Sequence, residues 1–127
     1  QEKRLQSWIK LLGFIEDNDV SKLYSLALAL VHPSKMEGFG LTGLEAMSVG
    51  LPVISSNASC LPEIYGDAAL YFNYSDSNDL VSCLGTFIKD QELRTSMATK
   101  GYLQARKYSW QRMAKETISV YKQISTP

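Results

Sequence analysis

The sequence predicts an α/β protein, a parallel sheet flanked by helices with a helical C-terminal tail. Three observations carry that expectation. Short apolar runs alternate with segments of helical period up to about residue 72. Within them, the stretch from Leu28 to Ser55 reads strand, glycine loop, helix, strand in about thirty residues, the span a βαβ unit requires. From Asp76 onward only helical periodicity remains, as expected when late helices cover a sheet built from earlier residues.

Taken in order, Ser7–Ile15 (SWIKLLGFI) is short, apolar and glycine-bearing near its end, which predicts a strand. Glu16 to Asp19 supplies turn and cap chemistry before VSKLYSLA, where Val20, Leu23, Tyr24 and Ala27 fall at helical spacing. Leu28 to His32 is continuously apolar and closes on Pro33, the pattern of a strand buried on both faces. A helix, LTGLEAMSV, follows the GFG turn. It stops where Gly50 can take the left-handed position and Pro52 blocks further propagation. Pro52–Ser55 and Ala69–Phe72 predict two more strands. Three capped helices complete the chain. The first starts near Asp76 or Ser77 and carries Leu80, Val81, Leu84, Phe87 and Ile88; the second runs from Gln91 to Lys107; the third starts at Ser109 and passes through Trp110, Met113, Thr117, Val120, Tyr121 and Ile124.

Composition narrows the function classes. A chain of 127 residues is the size of one domain, and burying roughly two-thirds of its unfolded surface gives it a core. Thirteen Lys and Arg balance thirteen Asp and Glu, so no basic field exists to hold a nucleic acid or an anionic membrane. Cys60 and Cys83 lie far apart, with no CxxC spacing and no companion histidines. That argues against a zinc site and a disulfide framework, and for a reducing, cytoplasmic setting. No apolar run reaches membrane-spanning length, and QEKRLQS lacks a signal-peptide core.

The chemistry gathers around the loop Ser34 to Gly40. In an open parallel sheet, ligands bind beyond the carboxyl ends of the strands, where a loop turns into a helix. Gly38 and Gly40 remove Cβ atoms from that turn, and the free N–H groups opening the helix favour an anion such as a phosphate. Glu37 leads into the turn. Glu45 sits one helical turn beyond Leu41 among apolar neighbours, so its charge asks for a polar partner such as sugar hydroxyls. From the residues alone, a solvated helix face is an equally good account of Glu45.

This segment resembles the retaining glycosyltransferases of the GT-B fold, family 4 type, whose motif places two glutamates eight positions apart. Here it reads EGFGLTGLE, Glu37 to Glu45. LLGFI, VHPSKMEGFG, LEAMSVGLPVISS, LPEIYGDAALYF and YSWQRMAKETISVY are similar to the same family's donor domain in the same order, over about residues 8 to 124.

The resemblance implies a Rossmann-like sheet, part of the C-terminal half of a GT-B fold, acting on a UDP-, GDP- or ADP-sugar with retention of anomeric configuration. By position, Glu37 is the catalytic carboxylate facing the donor sugar. Gly38, Phe39 and Gly40 offer backbone N–H groups to the sugar, Leu41 and Thr42 receive the phosphate, and Glu45 binds the ribose. Gly13, Phe14 and Ile15 mark the end of an earlier strand against which the base lies. Neither a metal nor a cofactor is implied.

His32 is expected to be a packed or locally hydrogen-bonded side chain rather than a catalytic one, Lys35 to face solvent, Glu63 to cap a short turn, and Trp110 and Tyr121 to be core or domain-contact residues. The resemblance also implies that residues 1–127 form a single domain, most of a donor domain. Its first strand and helix, with an arginine and a lysine for the diphosphate, and its acceptor domain would be missing from this chain. The fragment is then expected to self-associate through an open sheet edge and not to transfer sugar alone. In the full-length protein the expected site is cytoplasmic, at the inner face of the membrane. The alternative is a non-catalytic nucleotide-binding or regulatory domain on the same fold. Retention of both glutamates favours the transferase.

Overall fold

The structure, a computed structural model, describes residues 6–124. Its elements are α1 (Asp17–Leu26), β1 (Leu30–His32), α2 (Leu41–Ser48), β2 (Val53–Ser56), α3 (Leu61–Tyr65), a 3₁₀ turn (Gly66–Ala68), β3 (Ala69–Phe72), α4 (Ser77–Lys89), α5 (Gln91–Ala105) and α6 (Trp110–Ile124). The strands form a parallel sheet in the order β1-β2-β3.

β2 is buried along its whole length. Alternate residues feed two cores, because successive side chains on a strand point to opposite faces. Val53 joins Leu44, Met47, Leu51, Leu61, Ile64 and Tyr65. Ile54 joins Phe72, Phe87 and Met97 on the other face. Helices therefore cover both sides, as a parallel sheet needs.

Two strand expectations require correction. β1 is not buried on both faces: it pairs only with β2 among the described residues, and Val31 is 37% exposed. Ser7–Ile15 forms no strand. It makes a turn and an irregular run in which Trp8, Leu11 and Phe14 are largely exposed and Gly13 takes a φ of +65°. That left-handed residue interrupts any extended run, and apolar character alone provides no ladder of hydrogen bonds.

The helix signals stand. Gly50 takes a φ of +77° after α2. Asp76 caps α4 by accepting from the N–H groups of Asn78 and Asp79, and the Ser109 hydroxyl accepts from Arg112 N–H at the start of α6. Asp90 serves two helices at once. Its N–H donates to Thr86 O (3.1 Å) at the end of α4, while its carboxylate accepts from Leu93 N–H (2.8 Å) at the start of α5. Arg94 donates to the Phe87 and Ile88 carbonyls across the same corner.

α5 then crosses α2, with Gly101 so close to Met47 that a Cβ there would lie 3.1 Å from its Cγ. α6 buries none of its residues; Trp110 and Tyr121 are exposed, not core. Among the described residues no helix is long and apolar enough to cross a membrane.

Candidate functional site

The Ser34–Gly40 loop leaves the carboxyl end of β1 and enters α2 at Gly40, whose φ of +92° only glycine adopts without strain. No side chain caps α2, so its leading amides are available to a ligand. Gly43 is the exception, because its backbone hydrogen bond reaches the Tyr65 hydroxyl. Leu41 and Thr42, the positions expected to receive phosphate, open the helix and are exposed.

Glu37 is half-buried and held from several sides. His32 Nε2 lies 3.0 Å from its Oε1. The Ser59 hydroxyl donates to the Glu37 carbonyl (3.0 Å) and accepts from its N–H (3.4 Å), and the Cys60 thiol reaches the same carbonyl (3.4 Å). Ser59 itself has a φ of +56°, an uncommon state for a residue with a Cβ. The Ser34 hydroxyl, then the His32 imidazole, hold the Glu37 carboxyl below its ordinary pKa, against a smaller opposing effect of burial. At neutral pH it is an anion held at the start of the turn.

Tyr65 lies beneath that turn. Its ring is fully buried, its hydroxyl donates to Gly40 O (2.8 Å) and stands 3.0 Å from His32 Nδ1. Burial raises its pKa and keeps it neutral. A Cβ at Gly40 would sit 2.6 Å from the Tyr65 hydroxyl oxygen, and one at Gly43 only 2.3 Å from it. Both glycines make room for this phenol. Sequence reasoning missed Tyr65, Ser59 and Gly43; the glycines three apart at the helix start were the available signal.

The remaining expected residues divide. Gly38 is exposed, and the Phe39 ring packs edge-on against Tyr108 with centroids 5.5 Å apart. Glu45 is exposed on α2, and its charge helps raise the pKa of Tyr24 on α1, where burial is the larger cause. The carboxylate thus lies on an exposed face of the helix, not within an apolar contact. His32 is locally hydrogen-bonded, as expected. Lys35 is exposed, with its Nζ 6.0 Å from the Tyr74 ring centroid, and Glu63 is exposed in the first turn of α3. Gly13, Phe14 and Ile15 lie in the irregular N-terminal run, not at a strand end.

Among the described residues no group of three or more His, Cys, Asp or Glu side chains is placed to hold a metal ion. Asp17 and Asp19 do have the Asp-x-Asp spacing that diphosphate-bridging cations often use, contrary to the expectation that the sequence holds no such motif. They occupy the first turn of α1, where negative charge suits the helix dipole, and Asp19 pairs with Lys22 at 2.7 Å.

Comparison with known proteins gives the family and the fold. Residues 1–104 match the model of glycosyl transferases group 1. The O-antigen chain mannosyltransferase B of Escherichia coli is 39% identical over 117 residues, covering 92% of this chain and 31% of that protein. Sucrose-phosphate synthase from Thermosynechococcus elongatus superposes with a TM-score of 0.81 at 26% identity, over 97% of this chain and 33% of that one. The C-terminal domain of a glycosyl transferase group 1 family protein from Francisella tularensis gives 0.72 at 30% identity, over 84% and 58%. The chain therefore spans about a third of the mannosyltransferase it matches. With a family match over most of its length and a parallel sheet flanked by helices, the chain belongs to the glycosyl transferases group 1 family, with the GT-B type of fold.

Proposed function

We propose that this chain is the donor-binding portion of a retaining glycosyltransferase, completed by an acceptor domain and acting on a nucleotide sugar. One observation carries the reading: an ionised, anchored carboxylate, Glu37, stands beside the uncapped start of α2. A helix start with exposed amides suits a phosphate, and a fixed anion next to it suits the positive charge that grows on a sugar ring as its bond to that phosphate breaks.

In this reading Leu41 and Thr42 N–H groups take the phosphate, and the Gly38 to Gly40 backbone meets the sugar. Glu37 holds a sugar hydroxyl and stabilises the transition state, while Glu45, open to solvent, accepts the two ribose hydroxyls. Gly13 to Ile15 flank the base. Retention of configuration, by front-face attack with the leaving phosphate taking the acceptor's proton, rests on the resemblance to the family 4 type. So do independence from metal and the cytoplasmic setting at the membrane's inner face. The polysaccharide role of the E. coli relative suggests a glycoconjugate as product.

Calorimetric titration of the chain with UDP, GDP, ADP and their sugars tests the binding. Saturable binding of one nucleotide class, weakened at least about tenfold by Glu45→Ala, is expected; no binding of any of them overturns the proposal. Transfer by the isolated chain is not expected, since a half-cleft cannot align donor and acceptor. In the full-length protein, NMR of the product's anomeric proton checks retention, and assays with and without EDTA check independence from metal.

A further inference from the structure

We propose that His32 and Tyr65 are positioning residues that set where the Glu37 carboxylate stands; the inference rests on the reading of Glu37 as the group facing the donor. The two side chains close the glycine turn into a ring. From Glu37 Oε1 the path runs to His32 Nε2 (3.0 Å), from Nδ1 to the Tyr65 hydroxyl (3.0 Å), and from there to the Gly40 carbonyl (2.8 Å). Glu37 and Gly40 are the two ends of the turn, so side chains from outside it tie its entry to its exit.

Each link is anchored. His32 is the last residue of β1 and is in register with Ser55 of the buried central strand. Its imidazole is 13% exposed, which leaves little room for another rotamer. Tyr65 ends α3 with a fully buried ring that occupies the places where side chains at 40 and 43 would stand. The carboxylate can only accept, so Nε2 carries a hydrogen toward it. Nδ1 faces the Tyr65 oxygen, whose single hydrogen goes either to the Gly40 carbonyl or to Nδ1, so Tyr65 sets the role of that nitrogen. A partly buried chain of hydrogen bonds of this kind orients its terminal group more firmly than either bond alone. No side-chain hydrogen bond joins Tyr65 to Glu37 among the described residues, yet Tyr65 holds the imidazole that bonds the carboxylate.

The chain holds a single histidine, so its imidazole ¹⁵N resonances need no assignment by mutation. The experiment records those resonances and the Glu37 carboxyl ¹³C titration in the wild-type chain, in Tyr65→Phe and His32→Ala, and in Tyr71→Phe as a control. The control loses a phenol bond of the same length, part-buried, to the Gly66 carbonyl, away from the turn.

Tyr65→Phe is expected to shift the Nδ1 resonance and to move the Glu37 midpoint upward, toward the ordinary carboxyl range; His32→Ala should move that midpoint further, and Tyr71→Phe should change neither. In the full-length enzyme Tyr65→Phe should lower kcat with little change in KM. Unaltered Nδ1 and Glu37 signals in a folded Tyr65→Phe chain, or an equal response in Tyr71→Phe, would overturn the proposal and leave Tyr65 as a packing residue. None of these spectra requires a nucleotide, so failure of the donor titrations and failure of this inference are separately visible.

Discussion

Gly43 should be intolerant of a single methyl group, although it lies inside a helix where alanine is ordinarily the better residue. A Cβ at Gly43 would stand 2.3 Å from Tyr65 Cζ, 2.3 Å from its hydroxyl oxygen and 2.8 Å from Cε1. Comfortable carbon contacts begin near 3.5 Å, so the overlap is about 1 Å. The ring cannot swing away, being fully buried and packed within the core that includes Leu61 and Ile64. Overpacking of this kind costs about 1–3 kcal/mol, against a gain of about 0.5–1 kcal/mol from replacing glycine in a helix interior. Gly43→Ala should therefore destabilise the chain by roughly 1–2 kcal/mol. Tyr65→Val removes the obstructing ring at a cavity cost of about 3 kcal/mol, and in that background Gly43→Ala should turn neutral or stabilising. The assay is urea unfolding followed by circular dichroism on the four members of the cycle, with a coupling of about 2 kcal/mol expected. A wild-type chain that Gly43→Ala stabilises by its helix propensity would refute the steric argument.

Glu37→Gln in the full-length protein should lower turnover by orders of magnitude with a smaller effect on donor binding, since its contacts strengthen as charge grows on the sugar; near wild-type turnover would assign Glu37 another role. Charge-assisted hydrogen bonds are worth about 1.5–3 kcal/mol each, so removing both ribose hydroxyls from the nucleotide should weaken binding at least about tenfold, roughly 1.4 kcal/mol. Glu45→Ala should erase that difference in a calorimetric cycle with the 2′,3′-dideoxy nucleotide. A third test concerns acid. The Lys100 ammonium, 2.9 Å from Asp67, holds that carboxyl below its ordinary pKa. A depressed folded-state pKa gives stability that is present above the unfolded value and is lost as pH falls through the folded one. Lys100→Ala should thus narrow the stability difference between neutral and acid solution, as read by melting temperature across pH 6 to pH 3, and an unchanged profile would show that the exposed pair contributes nothing.

How much of this was legible beforehand depended on whether the signal was local. β3 and α4 were read where they lie because a short apolar run and an Asp cap are local facts. β1 was placed correctly, yet its burial was not, because the number of neighbours a strand has is not written in the strand. Ser7–Ile15 failed for the same reason: an apolar run predicts a ladder only if another edge meets it. The Glu37 turn was legible from its glycines, whereas Tyr65, 25 residues beyond Gly40, became visible only when the fold brought α3 beneath the turn. Glu45 was read as a charge among apolar neighbours; helical geometry turned it outward between Leu44 and Ala46, which are both buried.

The doubly bonded Asp90 has a consequence for how the chain tolerates changes of length. α4 ends at Lys89 and α5 begins at Gln91, so the corner contains no slack to absorb an added residue. One insertion there would rotate α5 by about 100° about its axis, carrying Gly101 off Met47 and Met97 out of the core beside Ile54. Because Met47 belongs to the helix whose first turn forms the site, a change of length at Asp90, about 50 residues beyond Gly40, would reach the glycine turn through a helix register. Surface substitutions on α5 can vary freely by comparison, while the count of residues between Phe87 and Gly101 is held by the packing at both ends.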